Sequence, residues 1–180
     1  MEKITILDKT FRPYIPYEEM LELIRKQAEK INRDFADEKE PPVLLCILNG
    51  AMFFTVELMK HLNFNFELSS IKIKSYLGVE NTGNIQLVTP LSIPVKGKTV
   101  IICEDIVDTG TTIQFVSDYL MKEGAEKIKV ATMLLKPEVY NNPEKPDYIA
   151  KEIPNEFILG MGLDYLEFGR QIMGIYVLDK

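Results

Sequence analysis

The segment best equipped for chemistry is Glu104-Asp105-Ile106-Val107-Asp108-Thr109-Gly110-Thr111-Thr112, which sets three carboxylates within five residues and then three threonines around one glycine. Thr109 to Thr112 supplies hydroxyls, a glycine that lets the backbone approach closely, and the unpaired N–H groups of a following helix start. That combination cradles a phosphate. The acids just before it suit sugar hydroxyls or Mg²⁺, a cation that takes a few carboxylates plus substrate oxygens. Asp and Thr also cap helices with no ligand involved; the crowding of acids directly after an apolar strand tips the balance to a ligand site. Rival phosphate loops fail: Gly78 and Gly83 have the right spacing but Asn84 stands where Lys is required, and Gly97-Lys98-Thr99 lacks the first glycine and precedes a strand.

These residues need a scaffold, and the hydropathy pattern predicts one. Met20, Leu21, Ile24, Ala28, Ile31 and Phe35 recur at helical spacing over Tyr17 to Asp37, and Pro41-Pro42 ends that helix. Val43 to Leu48 is a continuous apolar run, the signature of a central parallel strand. Asn49-Gly50-Ala51 turns the chain into a helix at about Met52 to Leu62. Phe64, Phe66 and Leu68 alternate in one parity and Ile71 and Ile73 in the other, which predicts a bulge or break at Ser69-Ser70. The polar stretch Leu77 to Asn84 predicts an exposed mobile loop, and Ile85 to Val88 a return strand. Thr99 to Cys103 reads as a second buried strand, followed by a loop, a helix over Thr112 to Glu123 closed by Gly124, and a third strand over Lys127 to Leu135. Repeated strand–turn–helix units predict a doubly wound, mostly parallel α/β sheet, whose ligands bind at the carboxyl ends of the strands. After Pro137, the prolines 143, 146 and 154 and short apolar stretches predict a small hood. The whole of 1–180 is expected to be one domain, with its core at about 40–136 and its hood from about 1–15 and 137–180.

Composition excludes several functions. With 21 Lys plus Arg against 27 Asp plus Glu, the net charge is -6, which argues against nucleic acid or an anionic membrane as the main partner. No apolar run approaches the roughly 20 residues that span a bilayer. Met1 to Thr5 lacks the apolar core of a signal peptide, so a cytoplasmic location is expected. Cys46 and Cys103 sit in buried-strand patterns and read as small core residues. A single histidine, His61, expected at the surface, leaves no material for a closed zinc site or a Cys-His dyad.

The run Ile101 to Thr112 resembles the phosphoribosyl-pyrophosphate (PRPP) binding motif of the type I phosphoribosyltransferases. The resemblance extends over nearly the whole chain, most closely to the hypoxanthine-guanine phosphoribosyltransferases. It continues in order through Leu48-Asn49-Gly50, Lys74-Ser75-Tyr76, Leu134-Leu135-Lys136 and Phe157-Ile158 to Leu163-Asp164-Tyr165 and Arg170. It implies transfer of a phosphoribosyl group from PRPP to N9 of hypoxanthine or guanine, with Mg²⁺ as cofactor. In that reading Glu104 and Asp105 hold the ribose hydroxyls directly or through Mg²⁺, Asp108 is the general base or acid at purine N7, and Thr109, Gly110, Thr111 and Thr112 bind the 5′-phosphate. Asn49 and Gly50 approach the pyrophosphate with backbone N–H groups, at a place where the family often has a cis peptide. Many relatives carry Lys at the Asn49 position, so this chain lacks that charge. Ser75 and Tyr76 lead a loop closing over the site, and Arg170 meets the pyrophosphate. Lys136 donates to purine O6, Phe157 stacks on the base, the Ile158 backbone reads its exocyclic edge, Ile106 walls the base pocket, and Asp164 faces a second Mg²⁺. The family also implies a homodimer or homotetramer. A xanthine-preferring enzyme is the alternative on the same fold; a non-catalytic RNA-binding regulator would need a basic face that the charge balance denies.

Overall fold

In chain order the elements of this computed structural model are β1 (Ile4–Ile6), β2 (Lys9–Ile15), α1 (Tyr17–Asp34), β3 (Val43–Leu48), α2 (Met52–Met59), β4 (Glu67–Tyr76), β5 (Asn84–Thr89), β6 (Thr99–Val107), α3 (Thr111–Lys122), β7 (Lys127–Leu135), β8 (Tyr148–Glu152), β9 (Ile158–Leu159) and β10 (Ile175–Leu178). The structure describes residues 2–76 and 84–179. The mobile loop expected from Leu77 onward, with Gly78 and Gly83, lies outside the described residues.

The apolar runs form the main sheet, in the order β5-β4-β3-β6-β7-β8. Its pairs are parallel except for β4 with β5, the expected return strand. Helices cover both faces. Met20, Ile24, Ala28 and Ile31 of α1, with Phe54 and Leu58 of α2, pack on Leu44, Ile101 and Cys103. On the other face, Ile113, Val116 and Leu120 of α3 pack on Val43, Leu45, Val100 and Ile102. Each such large side chain contributes about 2 kcal/mol by leaving water, which explains why β3 and β6 are apolar without alternation. Gly124 follows the last turn of α3 with φ +85°, as the C′ residue of a left-handed cap.

Two expectations are corrected. No break falls at Ser69-Ser70: β4 keeps one register along β3, from Val43 opposite Glu67 to Leu48 opposite Lys72. The change of parity arises because Phe64 and Phe66 precede the strand, with Phe64 stacked on Phe35 at 5.2 Å between ring centroids. The irregularity falls instead between Lys72 and Ile73, in the pairing with β5. Strand β6 also runs past Cys103 to Val107, so Glu104 and Asp105 are strand residues rather than loop residues. His61 is exposed, and its carbonyl accepts a hydrogen bond from Asn32 Nδ2 at 2.8 Å. Cys46 and Cys103 are buried and unbridged.

A second sheet, ordered β1-β2-β10-β9 and antiparallel throughout, draws its strands from the two ends of the chain. Phe11, Leu159 and Tyr176 form its small core. The tail also contributes β8, which adds to the main sheet beside β7. The second sheet's C-terminal turns meet the main sheet backbone to backbone. Gly162 has φ +102°, and a Cβ there would lie 1.8 Å from the Gly50 carbonyl oxygen. Gly162→Ala should therefore destabilise the protein by about 3 kcal/mol, since neither backbone can yield. Gly97→Ala, at φ +73° with no atom within 4 Å of the new Cβ, should cost only about 1 kcal/mol. Denaturant unfolding of the two variants checks this, and equal losses would refute the packing account.

Candidate active site

The carboxyl ends of β3, β4 and β6 open into a cavity of about 440 Å³. Its floor is the turn after β3, which begins with a cis peptide between Leu48 and Asn49. A Cβ on Gly50 would lie 2.0 Å from Asp105 Oδ2, so only glycine admits the turn beside that acid. The turn closes with Ala51 N–H donating to the Ile47 carbonyl at 3.1 Å and Met52 N–H to the Asn49 carbonyl at 3.3 Å.

Glu104 and Asp105 end up buried because β6 continues through them. Asp105 Oδ1 accepts the Ile106 N–H at 2.9 Å, whereas Glu104 Oε2 is buried with no partner among the described residues. Desolvation first, and the neighbouring Asp105 carboxylate second, hold Glu104 protonated well above the usual carboxylate range. Burial raises Asp105 as well, while backbone N–H groups and the Arg170 charge pull it back. An orphaned buried carboxylate oxygen is costly unless a cation or a hydroxyl donor completes it. This pair therefore fits either a ribose-like diol or one carboxylate-bound Mg²⁺ that draws its other ligands from a substrate.

No group of three or more metal-ligating side chains is assembled among the described residues. Asp164 does not join the Glu104–Asp105 pair in such a group. Its Oδ1 is 2.7 Å from Arg170 Nη2, and its Oδ2 accepts the Glu167 N–H at 2.7 Å. Arg170 also donates to the Gly162 carbonyl and to Glu167 Oε2, at 2.7 and 2.8 Å. Its guanidinium thus ties Asp164 to the rim of the cavity.

The loop after β6 is only Asp108 to Gly110. Gly110 has φ +86°, and a Cβ there would lie 2.5 Å from Asn142 Nδ2 and 2.8 Å from Tyr140 Cε2. It leads into α3, which has no side-chain cap at its N-terminus. The Thr109 and Thr111 hydroxyls lie 2.9 Å apart at this start. Uncapped N–H groups, hydroxyls and the positive end of a helix form an anion cradle. Asp108 Oδ1 lies 2.9 Å from Lys136 Nζ, whose side chain is 10% exposed against 51% for the acid. Lys136 is held there by its own N–H, which donates to the Val107 carbonyl at 3.0 Å.

The structure brings together Asn49, Gly50, the run from Glu104 to Thr112 (Ile106 included) and Arg170 around one cavity. Lys136 and Asp164 reach it through their ion pairs with Asp108 and Arg170. Phe157 and Ile158 lie outside the lining, on the second sheet. Phe157 is 43% exposed, its ring tilted against Phe11 at 6.1 Å and edge-on to Tyr165 at 5.8 Å. Ile158 is buried in β9 opposite Val177. Ser75 and Tyr76 end β4. Sequence reading overlooks Lys72 and Glu167, which also line the cavity, and takes Lys74 only as the residue before Ser75. The one available signal was the alternation of Lys72 and Lys74 with Ile71 and Ile73.

The family profile described as the phosphoribosyl transferase domain matches residues 16–166. A hypoxanthine-guanine phosphoribosyltransferase of Lactococcus lactis is 36% identical over 174 residues, covering 96% of this chain and 93% of that protein. Among solved structures, a hypoxanthine-guanine phosphoribosyltransferase of Bacillus anthracis superposes with a TM-score of 0.86 at 31% identity, over 93% of this chain and 98% of that one. A hypoxanthine phosphoribosyl transferase of Trypanosoma cruzi does so with a TM-score of 0.87 at 27% identity, over 98% and 95%.

The raised Glu104 pKa makes a prediction with a definite sign. A carboxyl group that is more basic folded than unfolded loses stability as pH rises from its unfolded value near 4.5 through its folded one. Without divalent metal, Glu104→Gln should match the parent near pH 4 and melt higher by several degrees at about pH 8. Thermal melts across that range check it, and a difference independent of pH would refute the assignment.

Proposed function

The chain belongs to the phosphoribosyltransferases, in the hypoxanthine-guanine group, and from that membership we propose that it transfers the 5-phosphoribosyl group of PRPP to N9 of hypoxanthine or guanine, releasing pyrophosphate. The observation that carries the reading is the run of β6 into α3, where a buried, incompletely satisfied acid pair leads within four residues to an uncapped helix start. One cavity thereby holds a diol or cation site beside a phosphate site, the two features of a phosphorylated pentose.

The reaction passes through a cationic, oxocarbenium-like ribose, so the residues act by positioning and by charge. Thr109, Gly110, Thr111 and Thr112 anchor the 5′-phosphate at the positive end of α3. Glu104 and Asp105 orient the ribose hydroxyls and place negative charge below the ring, where positive charge develops. Glu104 and Asp105 would hold one Mg²⁺ and Asp164 would face a second, supplying positive charge to neutralise the leaving diphosphate. Asn49 and Gly50 offer backbone N–H groups to that diphosphate, Arg170 and the end of β4 at Ser75 and Tyr76 flank it, and Ile106 walls the base side.

Asp108 takes or returns the proton at purine N7. Lys136, already paired with Asp108, turns its ammonium to the O6 acceptor, which an adenine amino group cannot replace. Phe157 covers the base and the Ile158 backbone reads its edge. The whole of 1–180 works as one domain. Its family membership supports a homodimer or homotetramer acting on small molecules in the cytoplasm.

Purified protein with PRPP and Mg²⁺ should convert hypoxanthine and guanine to their monophosphates in preference to xanthine and adenine, followed by ultraviolet absorbance. Asp108→Asn should lower kcat by about 10²-fold or more. Turnover of xanthine alone would move the chain to another base specificity, and turnover of no base would refute the reading. Excess chelator should abolish the activity and added Mg²⁺ restore it; undiminished turnover in chelator would exclude the metal.

A further inference from the structure

The cavity's charges do not balance in favour of a polyanion. Glu104, Asp105, Asp108 and Glu167 line it, against Lys72, Lys74 and Arg170. Arg170 is spent on Asp164, Glu167 and the Gly162 carbonyl. Lys136, beside the cavity, is spent on Asp108. Asn49, at the turn itself, is neutral. Lys72 and Lys74 alone among these cations form no ion pair within 4 Å among the described residues.

Their place in the fold is specific. Lys72 lies opposite Leu48, the last residue of β3, and Lys74 two residues further along β4, where the strand has outrun its neighbour and forms a wall above the Asn49-Gly50 turn. Both line the cavity that Glu167 and Arg170 also line, and after Arg170 their charges help to lower the Glu167 pKa. Two like charges so close on one strand, without an ion pair within 4 Å among the described residues, repel each other, an arrangement that costs stability unless an anion joins them. The order β4-β3-β6 sets these lysines two strand spacings, about 10 Å, from the phosphate cradle after β6. A pentose carrying phosphate groups at both ends can bridge such a separation.

We propose that Lys72 and Lys74 bind the diphosphate of PRPP and of the released product, supplying from the β4 wall the positive charge that Asn49 does not supply from the turn. This rests on the phosphoribosyl-transfer reading and adds to it the cations that hold the leaving group. The test is calorimetric titration with inorganic pyrophosphate, and separately with guanosine monophosphate, both with Mg²⁺, on the parent chain and on Lys72→Gln, Lys74→Gln and the double variant. Removing each lysine should weaken pyrophosphate about tenfold, the scale of a lost charge-assisted hydrogen bond, and KM for PRPP should rise in step. Guanosine monophosphate, held by the cradle after β6, should bind all variants alike. Arginine at either position should restore most of the pyrophosphate affinity, which a purely structural role for the lysine stem would not predict at both sites. If the parent binds pyrophosphate and turns over, yet the double variant binds pyrophosphate equally well, the lysine assignment is overturned and the reaction stands. Equal weakening of both ligands also overturns it, as a general loss of structure. If the parent neither binds pyrophosphate nor forms product, the reaction itself fails and the lysine assignment with it.

Discussion

Burying two adjacent carboxyl groups at the end of an all-parallel stretch of sheet is the constraint to which the rest of the molecule answers. Strand β6 must be apolar on both faces to sit in the centre of the sheet, yet it carries Glu104 and Asp105 into the same buried layer. Each surrounding feature accommodates this. Gly50 leaves out its side chain so that the turn after β3 can pass the Asp105 carboxylate. Arg170 brings a positive charge from the turns between β9 and β10 toward Asp105. The strain is stored at the site, where a substrate's hydroxyls or a cation can relieve it, in the way that active sites trade stability for function.

Much of the core was legible because two periodicities dominate it. The stretches Val43–Leu48 and Lys127–Leu135 match β3 and β7 residue for residue, the first apolar throughout because a central parallel strand is buried on both faces. The errors came where sequence neighbours belong to different surroundings. Phe64 and Phe66 look like strand residues by alternation, but they fill the space beside Phe35 before the strand begins. Glu104 and Asp105 look like loop residues by polarity, yet β6 carries both inside a strand.

The site was legible where its residues are contiguous and opaque where they are not. Glu104 to Thr112 is one stretch whose chemistry is written in order. Lys72 and Glu167 come from distant segments, and only the crossing of β4 with the turns of the tail puts them around the same cavity. The ion pairs Lys136–Asp108 and Arg170–Asp164 could not be read from spacing either, because they join the ends of different strands and turns.

The second sheet pairs β2 with β10, Ile15 opposite Ile175, and so joins segments from the two ends of the sequence. During synthesis β2 therefore has only the short β1 beside it until the ribosome has made the chain through Leu178. Meanwhile β3 to β7, whose contacts are nearer in sequence, can already condense. Phe11 lacks its core partners Leu159 and Tyr176 for most of translation. The enzyme thus acquires the junction of β6 and α3 first, and the Arg170-bearing turns are the last part to close.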